Sequence, residues 1–156
     1  MAATAEDTLI IETTRGPVTV ELRPDLAPNH VARIKELARQ GFYDGVLFHR
    51  VIDGFMAQTG DPTGTGRGGS GQKLRAEFSK EPHIRGAVSM ARAQSPDSAD
   101  SQFFICFDDA TFLDGQYTVW GRVSKGMENV DKITRGEPPA KPDKIVSMRV
   151  AAADAG

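Results

Sequence analysis

The sequence predicts a mostly β fold, a closed barrel or a sandwich of short strands. Three observations carry that prediction. Apolar and polar residues alternate in one short run after another, the two-residue period of a strand half buried against a core. The 16 Gly and 9 Pro fall between those runs and punctuate them as turns. Helical spacing is kept in only two stretches, too little for a bundle.

Leu9-Ile10-Ile11 opens the first strand. After a turn at Thr14-Arg15-Gly16-Pro17, Val18, Val20 and Leu22 alternate with Thr19 and Glu21, so the pair reads as a hairpin. Pro28 suits the first turn of a helix. Val31, Ile34, Leu37 and Ala38 follow at helical spacing, with Arg33, Lys35, Glu36, Arg39 and Gln40 on the other side and Gly41 placed to end it. Val46–Ile52 and Phe55–Thr59 are strands joined through Asp53-Gly54, a strong hairpin signal. Residues 60–73 form a glycine-rich loop. Further strands are expected at Ala87–Ala91, Gln102–Phe107, Thr118–Val123 and Lys144–Val150, a second short helix at Met127–Thr134, and a loop at residues 137–142.

A length of 156 residues fits one domain, residues 1–156, with a core over about 8–150 and short flexible ends. Lys and Arg number 19 against 21 Asp and Glu, a net charge of −2, which argues against a nucleic-acid partner. Cys106 is the only cysteine, so an intrachain disulfide and a cysteine metal cluster are excluded. Met1 to Asp7 lacks the basic start and apolar core of an export signal. No run approaches the roughly 18 apolar residues of a membrane span. A cytoplasmic protein with no membrane partner is expected.

Gly64-Thr65-Gly66-Arg67-Gly68-Gly69 matches the G-x-G-x-x-G pattern, but Ser70-Gly71-Gln72-Lys73 follows in place of the helix that would receive a pyrophosphate. A surface loop beside a site fits better than nucleotide binding. His30, His49 and His83 show no ligand spacing, so no metal and no cofactor are expected. No G-x-S-x-G elbow marks a nucleophile. Cys106 lies in the apolar run Phe103–Phe107 and reads as a small buried hydrophobe.

Arg50 interrupts the otherwise apolar strand Val46–Ile52, where a charge needs a partner or a purpose. Arg50 and Gln58 are nearly symmetric about Asp53-Gly54. A two- or three-residue loop makes them direct or adjacent cross-strand neighbours. Taken alone, a surface salt bridge is the commoner role for such a charge. A second group weighs the other way. Gln102 heads the run containing Phe104, and Phe112, Leu113 and Tyr117 surround the turn Asp114-Gly115. An arginine, two amides and several apolar side chains near turns suit an apolar pocket with a few fixed donors.

The string Phe48-His49-Arg50-Val51-Ile52-Asp53-Gly54-Phe55-Met56-Ala57-Gln58-Thr59-Gly60-Asp61 resembles the signature of the cyclophilins, peptidyl-prolyl isomerases inhibited by cyclosporin. Ser89-Met90-Ala91, Ser101-Gln102-Phe103-Phe104-Ile105, Leu113-Asp114-Gly115 and Val119-Trp120-Gly121-Arg122-Val123 match further blocks in register. The resemblance runs from about Leu9 to Val150. It implies a closed eight-stranded antiparallel β-barrel capped by two α-helices, with the site on the outside. Arg50 is implied as the catalytic residue. Phe55, Met56, Phe104 and Leu113 are implied to hold the proline, with Phe112 and Tyr117 beside them. Gln58 and Gln102 are implied to hold the substrate backbone, and Ala91, Arg92 and Ala93 to lie beneath the residues before proline.

The implied activity is cis–trans isomerisation of X–Pro bonds in flexible or unfolded segments, by a monomer without metal or nucleotide. The alternative is a module that docks one Pro-containing partner, with turnover incidental. Four positions depart from the best-known pattern: Phe112 stands where Trp is common, Tyr117 where His is, Arg92 where Asn is, and Arg67 where Thr is. These leave Arg50 and Gln58 intact and predict weak cyclosporin binding.

Overall fold

A computed structural model of the chain describes residues 5–152. Eight antiparallel strands form one curled sheet: β1 (Thr8–Thr13), β2 (Gly16–Leu22), β3 (Arg50–Ile52), β4 (Met56–Thr59), β5 (Ala87–Met90), β6 (Phe103–Cys106), β7 (Val119–Lys125) and β8 (Ile145–Val150). Helices α1 (Pro28–Arg39) and α2 (Met127–Val130) accompany it. No helix among the described residues is long and apolar enough to cross a membrane.

The strands run β3-β4-β6-β5-β7-β2-β1-β8 across the sheet. The expected closed barrel is not formed. The ladder stays open between β3 and β8, where only single bridges, Leu47 to Lys144 and Val51 to Gly136, span the gap. The reason lies in the two segments facing each other there. Pro138, Pro139 and Pro142 have no N–H to donate. Residues 46–49, expected as strand, instead bond irregularly, with the Phe48 N–H on the Asp143 carbonyl at 2.8 Å and the Thr59 hydroxyl on the Leu47 carbonyl at 2.8 Å. The curled sheet is thus a half-barrel.

Helix α1 buries His30, Val31, Ile34, Leu37 and Ala38 against the core. Helix α2 is shorter than the expected 127–134. Its bonds tighten after Asp131, and the Thr134 N–H turns away to the Asp143 carboxylate at 2.8 Å. Part of the ends expected to be flexible is tied down: the Ala151 N–H bonds the Thr8 carbonyl at 2.7 Å and the Ala152 N–H the Ala5 carbonyl at 3.0 Å. Residues 1–4 and 153–156 lie outside the described residues.

Two apolar clusters explain why β4 and β6 read as nearly unbroken apolar runs. Ala57, Phe103 and Ile105 point into the main core with Trp120 and Phe48. Their strand neighbours Met56, Phe104 and Cys106 point the other way, into a smaller cluster with Ala87, Ala110 and Leu113. Side chains alternate across a strand, so a strand covered on both faces keeps no polar period. The second cluster lies on the outer face of the sheet, and the candidate site is built on it.

Candidate active site

The hairpin β3–β4 aims the two polar groups. Its loop is three residues long, because Ile52 pairs with Met56, and it pairs Arg50 directly with Gln58. Gly54 makes the turn possible at φ +72°, a conformation that side chains disfavour. Strand β6 lies on the other side of β4 and sets Phe104 opposite Gln58. The β4 exit and the β6 entry touch closely. The Ser101 hydroxyl donates to the Gly60 carbonyl at 2.7 Å, and the Tyr43 hydroxyl donates to the Ser101 carbonyl at 2.9 Å. These buried bonds fix the backbone from which Gln102 projects.

Arg50, Phe55, Met56, Gln58, Ala91, Arg92, Phe104, Leu113 and Tyr117 line one cavity of about 100 Å³. Its floor is buried Met56, Phe104 and Leu113. Tyr117 packs edge-on to Phe104, with centroids 5.9 Å apart. Such a volume suits one small apolar ring rather than a drug-sized ligand. A second, open basin of about 640 Å³ adjoins it, sharing Gln58, Ala91 and Arg92 as a common wall and adding Ala93 and Gln102. Phe112 lines neither space. It stands on the rim, 67% exposed, with its ring 5.5 Å from that of Phe55.

Hydrogen bonds run in one line across the two spaces. Arg50 Nη1 donates to Gln58 Oε1 at 3.3 Å. Gln58 Nε2 donates to Gln102 Oε1 at 3.0 Å. Gln102 Nε2 donates to the carbonyls of Gly66 and Gly68 at 2.9 and 3.0 Å. Arg50 Nε also donates to Glu137 at 3.3 Å, an exposed ion pair. Both roles open to Arg50 in the sequence are therefore present at once: it carries a surface salt bridge and it lines the pocket.

Two of the departures turn out to be partners. The Arg92 guanidinium lies 4.7 Å over the Tyr117 ring, and its N–H groups reach the carbonyls of Gln116, Ala93 and Gln94, each at 3.0 Å. Arg67 and Lys73 line the basin as well. Asp100 lines it too, but its carboxylate is occupied by the Ser70 N–H, the Ser70 hydroxyl and the Gly71 N–H. The glycine-rich loop does lie beside the site, and no helix follows it. Sequence reasoning missed Glu137, which is 87 positions from Arg50 and announced by no motif. Among the described residues no group of His, Cys, Asp and Glu is arranged to hold a metal. Cys106 is buried behind Met56 and Phe104, and burial pushes its thiol up to about 12, so it is inert as a nucleophile.

A curled antiparallel sheet thus carries on its outer face a small apolar hollow edged by a guanidinium and two linked amides, groups able to hold a small apolar ring and to hydrogen-bond a peptide backbone. Residues 8–150 match the family profile described as cyclophilin type peptidyl-prolyl cis-trans isomerase/CLD. A probable peptidyl-prolyl cis-trans isomerase of Brucella suis is 54% identical over 168 aligned positions, covering 97% of this chain and 86% of that protein. A peptidyl-prolyl cis-trans isomerase of Helicobacter pylori is 45% identical, over 81% of this chain and 80% of the other. Among solved structures, the cyclophilin AquaCyp293 from Hirschia baltica superposes with a TM-score of 0.89 at 34% identity, covering 96% of this chain and 76% of that one. A cyclophilin-type isomerase from Cryptosporidium parvum, solved in the presence of the dipeptide Ala-Pro, gives 0.87 at 29%, covering 94% and 99%. The chain belongs to the cyclophilin-type peptidyl-prolyl cis-trans isomerase family.

Proposed function

We propose that the isomerase activity of this family is exerted here at the small cavity, with Arg50 as the catalytic group and Phe55, Met56, Phe104 and Leu113 gripping the proline ring. An X–Pro amide resists rotation because nitrogen shares its lone pair with the carbonyl, with a barrier of ~18–20 kcal/mol. No bond breaks, so neither nucleophile nor metal is needed. In the twisted state the lone pair localises on nitrogen. A donor near that atom stabilises the twisted amide more than the planar one, which is what acceleration requires.

The guanidinium is suited to this by what already holds it. Glu137 takes Nε and Gln58 takes Nη1, while Nη2 is left for a substrate. The line through Gln58 and Gln102 to the glycine loop fixes the plane of the guanidinium before substrate arrives, so little reorganisation is left for the reaction. A hydrogen bond from a charged donor is worth ~1.5–3 kcal/mol. At ~1.36 kcal/mol per decade that is roughly 10- to 160-fold in rate.

Arg50 borders the small cavity and not the basin, whereas Gln58, Ala91 and Arg92 border both. With the proline carbonyl side held at Arg50, the residues before proline run over Ala91, Arg92 and Ala93 into the basin. Flexible segments carrying X–Pro bonds are the substrates of this reading. A monomer suffices for it. Large exposed apolar side chains among the described residues are scattered singly, at Phe78, Phe112 and Val146.

The observation that carries the proposal is the meeting of Arg50 and Gln58 at the mouth of a buried apolar hollow. Exchange spectroscopy on an Ala-Pro peptide with substoichiometric, chelator-treated protein tests it. Cis–trans exchange should quicken well beyond the spontaneous tens to hundreds of seconds. An unchanged exchange rate would leave the chain a binding module.

A further inference from the structure

His83 lies directly behind the proline cavity, with a side chain 0% exposed. Its Nδ1 is 3.0 Å from Asp114 Oδ1 and its Nε2 is 2.9 Å from Ser89 Oγ. The order Asp, His, Ser is that of an acyl-transfer triad. Ser89 is fully buried and its hydroxyl faces the Thr118 carbonyl at 3.0 Å, so no acyl group reaches it. The constellation needs a different role.

The contacts of His83 converge on the walls of the cavity. The turn that carries Phe112 and Leu113 is attached to it at both ends. The Ala110 N–H donates to the His83 carbonyl at 2.7 Å, and the His83 N–H donates to Asp114 Oδ1 at 2.7 Å. The imidazole stacks on Phe104, with centroids 6.1 Å apart and planes 20° from parallel, and meets Tyr117 edge-on at 6.4 Å. Ser89, its third partner, is paired across the sheet with Phe104. The Asp114 carboxylate places a proton on Nδ1. With the proton on Nδ1, a neutral imidazole offers only a lone pair at Nε2, so the Ser89 hydroxyl, which sits between Nε2 at 2.9 Å and the Thr118 carbonyl at 3.0 Å, is the one group there that can donate to it.

We propose that His83 is a positioning residue of the proline pocket, whose bonds to Asp114 and Ser89 hold Leu113 at a fixed separation from Phe104 across the pocket floor. This rests on the cavity being the isomerase site. The proline ring does not change as the amide twists, so a pocket held at the right width grips the planar and twisted states alike. Loss of that grip raises KM and leaves kcat, which depends on Arg50.

The decisive variants are His83→Phe, which keeps the stacked ring and loses both side-chain bonds, and Asp114→Asn at the partly exposed turn. His83→Phe should raise KM roughly tenfold with kcat within about twofold of wild type, the size of one or two lost buried hydrogen bonds. Asp114→Asn should raise KM by a smaller factor, since its amide oxygen still accepts. Folded variants with wild-type KM overturn the proposal, and so does an equal fall in kcat without a change in KM. Imidazole NMR of the wild type covers the case in which the variants fail to fold. The Nδ1-protonated tautomer should be seen, and saturating Ala-Pro dipeptide should shift its signals. Signals left unmoved while backbone resonances at Phe104 and Leu113 respond overturn the proposal. Wild-type protein that binds the dipeptide without accelerating exchange fails the isomerase reading alone, because the NMR arm does not depend on turnover.

Discussion

Arg50 and Arg92 are the charged side chains lining the small cavity, and two acceptors hold Arg50 in place before any substrate arrives. Truncation to Ala removes the donor without opening a core cavity, since the residue is exposed. Arg50→Ala should therefore cut kcat/KM at least ~10-fold while the urea midpoint barely moves. A folded variant with full activity places the chemistry elsewhere. Phe112 carries a second prediction, because it is exposed on the rim and supports Phe55 rather than the cavity floor. It offers cyclosporin an apolar face and no donor. A lost neutral hydrogen bond of ~0.5–1.5 kcal/mol is roughly a 2- to 13-fold loss of affinity. Phe112→Trp should tighten the drug by about that factor with little change in turnover, as read by titrating both proteins. Equal affinity would sink the argument. The sole tryptophan does not compensate: Trp120 is fully buried in the main core against Phe103.

Between elements, the closest approach that matters to the site is where β4 leaves and β6 enters. Gly60 has φ +98°, and a Cβ there would collide with the Ser101 carbonyl just before Gln102. Gly60→Ala should cost at least ~1–3 kcal/mol in urea unfolding, from backbone strain and the clash together. It should also weaken peptide binding by displacing Gln102. An unshifted unfolding midpoint would mean that this junction gives way freely. The hairpin that aims Arg50 and Gln58 was legible in Asp53-Gly54 flanked by apolar runs, because turn chemistry is local. The first half of Val46–Ile52 misled as a strand. Its partners are the residues around Asp143, nearly a hundred positions away, and they bond at irregular spacing. Helix α2 was overextended for a like reason, since Thr134 is captured by Asp143.

At the scale of the molecule, pH acts on stability and activity differently. Burial lowers the pKa of His30, His49 and His83, despite the carboxylates near them. The unfolded chain therefore binds protons more readily than the folded one just below the ordinary value of about 6.5. Stability from these groups is complete above that pH and falls as pH drops from it toward the depressed values. Asp61 adds a second, acid step. Burial pushes its carboxyl up, but bonds from the Gly68, Thr63 and Gly66 backbone and the Thr63 hydroxyl outweigh that and hold it at about 2. Its contribution is complete above about pH 3.9 and is lost as pH falls through about 2. Denaturation midpoints should thus be level near pH 7–8, slip below about 6.5 and drop again below about 4. The isomerisation rate should stay flat from about pH 6 to 8, since a guanidinium does not titrate there and no proton is transferred. A bell-shaped rate profile centred near neutrality contradicts that mechanism.

Alternation, turn residues and the spacing of α1 determined from the sequence alone that this is a strand-rich chain with helices opening at Pro28 and Met127, though not where the second one ends. They act over a few residues and need no knowledge of distant neighbours. The motif blocks determined the family and pointed to Arg50, Gln58, Phe104 and Leu113. Convergence was decided only in three dimensions. Arg50 and Tyr117 border one hollow because the turn after Ala110 packs over the outward-facing side chains of β4 and β6, next to the β3–β4 hairpin. The open seam between β3 and β8 was likewise decided there, by prolines and irregular backbone that leave too few donors to close it. So was the place of His83, whose bonds to Ser89 and Asp114 span 6 and 31 positions. Hydrogen bonds between side chains far apart in sequence leave no periodic trace, and it is packing of the whole sheet that brings them within reach.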